Sequence, residues 1–247
     1  MTYKYLYANG CSFTKHTPLA ESDLWPTMLA QRLGIPEVIN QAKGAGGNDR
    51  IFKTLSNFLL DTNIANSDIL AMIQITFPFR FELPLATEHS GWMSYLSNYN
   101  FQNTGELEDD INYEYYLSKM KIYAQHECQE TWEFYQQISA ISNLLRSSNI
   151  KHYFICNNNP PQWPMAIEPA GGNAVGNPTT TIEFDHSLIN WLYDDPWQSN
   201  MYHHVEKVLG LRESDYTISS DDIHFNKLTH EKLCDLWAEQ INLKEAE

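Results

Sequence analysis

Residues 68–75 read DILAMIQI, and this run decides the class of fold. Every residue from Ile69 to Ile75 is apolar except Gln74, so the run lacks the alternation of a strand with one face in water. Such a pattern is typical of a parallel strand that is covered on both faces. Similar, weaker patterns predict further strands at Tyr3–Ala8, Val38–Asn40, Lys151–Cys156 and Tyr216–Ile218.

Helical patterns alternate with these strands. Leu24–Leu33 stops at Gly34, and Asn226 is a plausible N-cap for a helix that continues to Leu243. Helices are also predicted at Asn48–Leu60, with Ile51, Phe52, Leu55, Phe58 and Leu59 on one face, and within Ile111–Ser147. In the last helix the predicted buried residues are Leu228, Leu233, Trp237 and Ile241. The alternation predicts a three-layer α/β/α sandwich, flavodoxin-like, with a parallel sheet of about five strands.

The length of 247 residues fits one domain with two insertions, at about 79–111 and 157–215. Residues 79–111 show no clear period. Residues 157–181 hold five of the eleven prolines and three of the eleven glycines, which predicts a loop. Long loops in compact domains tend to be functional, so we expect 157–178 to form a mobile lid.

The net charge of −15 limits the choice of partners. Nucleic acids and anionic membranes attract proteins with surplus Lys and Arg, and this chain has no run of either, so we expect it to bind neither. No apolar run reaches 18 residues and no signal peptide is recognisable, which predicts a soluble, cytoplasmic protein.

Cysteines and histidines do not form a metal motif. The four cysteines lie far apart without a CxxC pair, and the nine histidines show neither HExxH nor HxH spacing. We therefore expect no bound metal, and we interpret the cysteines as buried thiols.

A candidate nucleophile, Ser12, follows the first predicted strand in the run GCSFT at residues 10–14. Ligands of open parallel sheets bind at the carboxyl ends of the strands, and Gly10 permits a tight turn there. A serine after a strand is also a common helix cap. Cys11 is a second possible nucleophile, although we expect it to face the core.

A candidate base, His224, precedes the last helix. A serine hydroxyl needs a base to accept its proton, and that base needs a partner that fixes its tautomer. Asp221, three residues before His224, can reach the imidazole across a single turn. The alternative is that Asp221 or Asp222 caps the turn and that His224 lies on the surface.

A glycine-rich segment, residues 40–49, follows the second strand and reads NQAKGAGGND. Backbone N–H groups exposed by glycines at a helix N-terminus suit a phosphate or an oxyanion. The segment lacks both GxGxxG and the P-loop Lys-Ser/Thr, so a nucleotide site is less favoured. A flexible turn is the remaining interpretation.

Together, these three segments resemble the sequence blocks of the SGNH (GDSL-type) serine hydrolases. The first block has Cys11 where the family usually has Asp. The second block supplies an oxyanion N–H from a glycine, which falls on Ala45 or Gly46. The third block has an oxyanion Asn, and Thr76 stands in its place here.

The variant with GCSFT, GGND-R-I and T-x-P-x-R resembles divergent SGNH proteins common in phage and bacterial genomes. Within it, Arg80 is a candidate for binding an anionic or sugar-like group, or else a surface residue paired with an acid. Asn48 is a candidate to donate from its side chain to the oxyanion site, or else the cap of the following helix.

The resemblance implies an esterase that hydrolyses an acetyl or short acyl ester through an acyl-enzyme, without metal or cofactor. Ser12 attacks, His224 moves the proton, Asp221 orients His224, and N–H groups of Ser12 and Gly46 receive the oxyanion.

A further hypothesis is that the ester is carried by a carbohydrate, since sugar rings stack on aromatic side chains. The candidates are Trp92, Tyr95, Tyr99, Trp163, Trp191 and Trp197. The alternative is a non-catalytic binding or structural protein on the same fold, such as a virion or assembly component. The sequence predicts no oligomeric state.

Overall fold

The computed structural model contains four parallel strands in one sheet. It describes residues 3–15, 18–44, 46–77, 80–84, 92–96, 127–157, 165–167, 180–182 and 186–246. The sheet strands are β1 (Tyr5–Asn9), β2 (Glu37–Asn40), β3 (Ile69–Ile75) and β6 (Lys151–Cys156). Their order is β2-β1-β3-β6, and all neighbours are parallel. Trp191 and Asn200 form isolated parallel bridges to β6. The fifth strand predicted at Tyr216–Ile218 is not part of this sheet, because Thr217–Ser219 pairs antiparallel with Asp222–Phe225.

The remaining strands form hairpins outside this sheet. They are β4 (Arg80–Pro84) with β5 (Trp92–Leu96), β7 (Met165–Ile167) with β8 (Thr180–Ile182), and β9 (Thr217–Ser219) with β10 (Asp222–Phe225). The hairpin of β7 and β8 corrects the prediction that 157–181 is a loop throughout, because three-residue strands are too short to show a period. The rest of the expected lid lies outside the described residues.

The helices are α1 (Trp25–Leu33), α2 (Asn48–Asp61), α3 (Glu127–Ser147), α4 (Met201–His203), α5 (Glu213–Tyr216) and α6 (Lys227–Ala246). Gly34 ends α1 with a φ of 67°, a left-handed conformation that glycine adopts without strain. The side chain of Asn226 accepts the Thr229 N–H at 3.0 Å, so the predicted cap of α6 is confirmed. No helix among the described residues combines the length and apolar character needed to span a bilayer.

Side chains alternate across the sheet and build a core on each face. Leu6 and Met72 point to the face covered by α1 and α6. On this face the rings of Trp25 and Trp237 are in edge contact, with their centroids 5.5 Å apart. Neighbouring Tyr7 points to the opposite face, which α2 and α3 cover. Because both faces are buried, the fold is the predicted three-layer α/β/α sandwich.

Two predicted core positions are wrong. Leu228 is 51% exposed, because it lies about 140° around α6 from Leu233, which is fully buried. Phe52 on α2 is 39% exposed, whereas Ile51 and Leu55 are buried as expected. The cysteines Cys11, Cys156 and Cys234 are buried thiols, and the side chain of Cys128 is outside the described set.

The end of α6 is tied to the amino edge of the sheet through Glu245. Its carboxylate accepts hydrogen bonds from the hydroxyls of Tyr3 and Tyr153, both at 2.8 Å, and lies 2.9 Å from the Lys151 ammonium. Burial alone raises the pKa of Glu245, but hydrogen bonds from Lys151, Tyr3 and Tyr153 together bring that pKa below its ordinary value.

A lowered pKa in the folded state makes Glu245 a source of pH-dependent stability. The stabilisation is complete above the unfolded-state pKa of about 4.3 and is lost as the pH falls through the lower folded pKa. We expect Glu245→Gln to lower the free energy of unfolding near neutral pH by about 1–2 kcal/mol. Urea titrations across pH should show the difference from wild type shrinking in acid. The control is Glu239→Gln, a substitution at an exposed position of the same helix. An equal loss in the free energy of unfolding in both variants would contradict the stabilising role of the Glu245 hydrogen bonds.

Candidate active site

Ser12 lies in a single helical turn directly after β1, at the carboxyl edge of the sheet. The N–H groups of Thr14 and Lys15 donate to the carbonyl of Cys11 at 2.9 and 3.1 Å, which closes the turn. Ser12 is half-buried, whereas Cys11 is fully buried and faces the core as expected. The hydroxyl therefore stands where ligands of such sheets bind.

The buried side chain of Gln74 on β3 anchors this turn. Its Oε1 accepts the Cys11 N–H at 3.0 Å and the Thr14 hydroxyl at 2.9 Å. A Cβ on Gly10 would lie 2.6 Å from the same oxygen, closer than real contacts allow. Gly10 is required here by the close approach of Gln74. The sequence analysis assigns no role to Gln74, although a single polar residue in an otherwise apolar buried strand indicates a side chain with buried hydrogen-bond partners.

His224 lies on β10 and is paired with Asp222. The Nδ1 of His224 is 2.6 Å from Oδ1 of Asp222, and side chains of both are about a quarter exposed (23% and 26%). This corrects the prediction that Asp221 orients His224. Residues two apart on a strand share a face, so Asp222 reaches the imidazole, whereas Asp221 lies exposed in the turn that joins β9 to β10.

The Ser12 turn and His224 lie side by side because Phe13 packs on the imidazole. The two ring centroids are 4.9 Å apart. Phe13 is also in edge contact with Phe225, the residue after His224, at 5.1 Å. Elements from opposite ends of the chain thus meet at this edge.

The glycine-rich loop packs against the Ser12 turn. A Cβ on Gly46 would be 3.3 Å from the carbonyl oxygen of Gly10, so the loop lies close behind this turn. The N–H of Gly46, a predicted oxyanion donor, donates to the Lys43 carbonyl at 2.9 Å. The alternative donor, Ala45, lies outside the described residues.

Asn48 clamps the backbone that follows β3. Its Oδ1 accepts the Thr76 N–H at 3.0 Å, and its Nδ2 donates to the Thr76 carbonyl at 3.3 Å. Gly47, not Asn48, is the N-cap of α2, so the capping alternative is wrong. The Nδ2 of Asn48 carries a second hydrogen besides the one donated to Thr76, so its role at the oxyanion site stays a prediction.

Arg80 fixes the side chain of Thr76. The Nη1 of Arg80 donates to the Thr76 hydroxyl oxygen at 3.1 Å, and its guanidinium lies 4.8 Å from the ring centroid of Phe77. Thr76 is 2% exposed. Since one lone pair of the hydroxyl is occupied, its rotation is restricted and its own hydrogen remains a donor.

Trp191 was predicted as a residue that could stack on a sugar ring. It is 3% exposed and packs within the core, so this prediction is wrong. Tyr99 and Trp163 lie outside the described residues, as do the side chains of Trp92, Tyr95 and Trp197.

Comparison with known proteins gives distant likenesses. None of the curated proteins matches the sequence. The solved structure titled TesA is 14% identical, with a TM-score of 0.47, over 96% of this chain and 97% of that one. The esterase EstA from Pseudoalteromonas sp. is 10% identical, with a TM-score of 0.45, over 97% and 99%. An acetyl xylan esterase, AlAXEase, is 13% identical, with a TM-score of 0.46, over 95% and 98%.

One family model, described as a family of unknown function, matches residues 14–174. This match spans more than half of the chain and includes the glycine-rich loop, the Asn48 clamp, β3 and the Thr76–Arg80 contact. The chain therefore belongs to the family DUF6071.

Proposed function

We propose that this chain is a serine esterase that hydrolyses a small acetyl or short acyl ester through an acyl-enzyme. The observation that carries the proposal is the His224–Asp222 pair, 2.6 Å apart, packed through Phe13 against the turn that holds Ser12. Such a group supplies a nucleophile, a base and an orienting carboxylate.

In the first step, the Ser12 Oγ attacks the ester carbonyl while Nε2 of His224 accepts the hydroxyl proton. Asp222 holds Nδ1, which fixes the tautomer and stabilises the imidazolium. The carbon–oxygen bond to the alcohol then breaks, and His224 protonates the departing alcohol. Water repeats the sequence on the acyl-enzyme and releases the acid.

The negative oxygen of the tetrahedral intermediate needs donors that are already in place. We assign this role to the Ser12 N–H and to the hydroxyl of Thr76, whose orientation Arg80 restricts. Asn48 acts on the same group indirectly, since it holds the Thr76 backbone.

A fluorophosphonate probe tests the proposal directly. We expect covalent labelling at Ser12, hydrolysis of 4-nitrophenyl acetate or butyrate, and loss of both in Ser12→Ala with little change in melting temperature. Removing a nucleophile commonly lowers the rate by several powers of ten. An unlabelled wild type without ester hydrolysis would favour the binding or assembly protein, and carbohydrate specificity would be examined with acetylated sugars.

The two neighbouring aspartates provide a matched pair of variants. We expect Asp222→Asn to lower kcat on the order of 10³–10⁴-fold, because the amide no longer favours the productive tautomer of His224. Asp221→Asn, in the exposed turn, should retain kcat within about twofold. Steady-state kinetics and circular dichroism on both proteins decide the assignment, and the reverse result would restore Asp221 as the partner.

The donor role of Thr76 is tested by two substitutions of similar size. Thr76→Val removes the hydroxyl and should lower kcat by about 10²–10³-fold, whereas Thr76→Ser keeps the donor and should stay near wild type. Asn48→Ala should lower kcat together with thermal stability, since it acts through the backbone. If Thr76→Val retains full activity while Asn48→Ala is inactive but stable, the donor is the Asn48 amide.

A further inference from the structure

The segment that begins at Asn200 continues the sheet beyond β6, at its carboxyl edge. Asn200 forms an isolated parallel bridge to Cys156, the last residue of β6. The Oδ1 of Asn200 accepts the N–H groups of Tyr202 and His203, at 2.8 and 3.4 Å, and so caps α4. Because the bridge is parallel, Tyr202 lies at the same edge of the sheet as the Ser12 turn.

A second hydrogen bond fixes the other end of α4. His204 directly follows this helix and is 2% exposed. Its Nδ1 accepts the indole N–H of Trp237 on α6 at 3.2 Å, and the Tyr193 ring packs edge-on against the imidazole with centroids 4.6 Å apart. Tyr202 is thus carried by a short helix that is bonded to the sheet at one end and to α6 at the other.

The Tyr202 ring contacts two rings that each follow a candidate catalytic residue. It is in edge contact with Phe13, the residue after Ser12, with centroids 5.8 Å apart. It is also in edge contact with Phe225, the residue after His224, at 5.1 Å. Since Phe13 and Phe225 also touch, these three residues form a three-ring cluster in which each ring packs against the other two.

The hairpin that carries His224 needs such a contact more than the Ser12 turn does. The turn is anchored to the central sheet by Gln74. The hairpin is a two-stranded sheet of β9 and β10, and pairs of this kind are marginally stable alone. The N–H of Asn226 donates to the Tyr216 carbonyl at 2.9 Å, which holds one end of the hairpin at α6. The three-ring cluster then sets how the hairpin lies against the Ser12 turn.

We propose that Tyr202 is a positioning residue, which packs against Phe13 and Phe225 and thereby keeps the His224 imidazole within reach of the Ser12 hydroxyl. The proposal rests on the esterase function proposed above. A general base must lie within hydrogen-bond reach of the proton that it accepts. A displacement of about 1 Å can lower a rate about a hundredfold. Tyr202 acts through the two phenylalanine rings.

Substitutions of Tyr202 test the role of its ring. The contacts of the Tyr202 side chain described above are made by the ring, so Tyr202→Phe keeps them and should retain kcat within about twofold. Tyr202→Leu removes the ring and should lower kcat roughly 10- to 100-fold while KM changes less than about threefold. Labelling of Ser12 by a fluorophosphonate should slow in parallel. A loss of kcat in Tyr202→Phe as large as in Tyr202→Leu would overturn the proposal.

The matched control is Tyr193→Leu. Tyr193 and Tyr202 are both partly buried against the same core, but the Tyr193 ring packs on His204. We expect Tyr193→Leu to retain kcat within about threefold at a temperature where circular dichroism shows both variants folded. Equal losses in the two Leu variants, or wild-type kcat in Tyr202→Leu, would overturn the proposal. If Tyr202→Leu is too unstable to assay, Tyr202→Met gives the same comparison, since its flexible side chain fills gaps.

Hydrogen exchange separates this proposal from the esterase function, because it needs no turnover. In Tyr202→Leu we expect the amides of β9 and β10 to exchange roughly tenfold faster than in wild type, while those of β3 stay protected. Tyr193→Leu should leave the β9 and β10 amides unchanged. Faster exchange of the hairpin in Tyr202→Leu alone, in a protein without ester hydrolysis, would support the role of Tyr202 and overturn the esterase. Ester hydrolysis with kcat and exchange unchanged in Tyr202→Leu would do the reverse.

Discussion

The buried amide of Gln74 is the constraint on which the candidate site depends. A polar side chain inside a strand covered on both faces is costly unless its hydrogen bonds are made. Gln74 satisfies its oxygen with Cys11 and Thr14, and its nitrogen donates to the Ile75 carbonyl at 3.1 Å. The Ser12 turn is thereby held against the central strand, and Gly10 is required where the two approach.

The end of the same strand holds the other half of the site. The Asn48 clamp ties the first turn of α2 to Thr76, and Arg80 then restricts the Thr76 hydroxyl. Hydrogen bonds of the Gln74 and Asn48 side chains therefore connect the segments after β1 and β2 to β3 and to the residues that follow it. Side chains that neighbouring residues hold in place by hydrogen bonds keep their geometry without reorganising when a ligand binds.

Much of the fold could be predicted from the sequence, because parallel strands and amphipathic helices leave strong patterns. β6 was predicted with the same bounds that the structure has, and α2 to within one residue. The hairpins were not predicted as hairpins: the segments that hold β4, β5, β7 and β8 show no clear period, and β9 was predicted as a strand of the parallel sheet. Ser12 and His224 are candidates from local motifs, whereas the pairing of His224 with Asp222 rather than Asp221 depends on whether the chain there is a turn or a strand. That outcome is set by the pairing of β9 with β10.

Composition and local structure carry different information about charge. A net charge of −15 without basic runs argues against binding polyanions, whose many phosphates meet the field of the whole surface. Lys15, Lys43 and Arg50 are scattered along the sequence and come together only because the loops after β1 and β2 are neighbours. At physiological ionic strength, screening limits the influence of distant charges to about 8 Å. The local potential beside these three residues is therefore set mainly by the groups around them, whereas a long polyanion also meets the acidic surface.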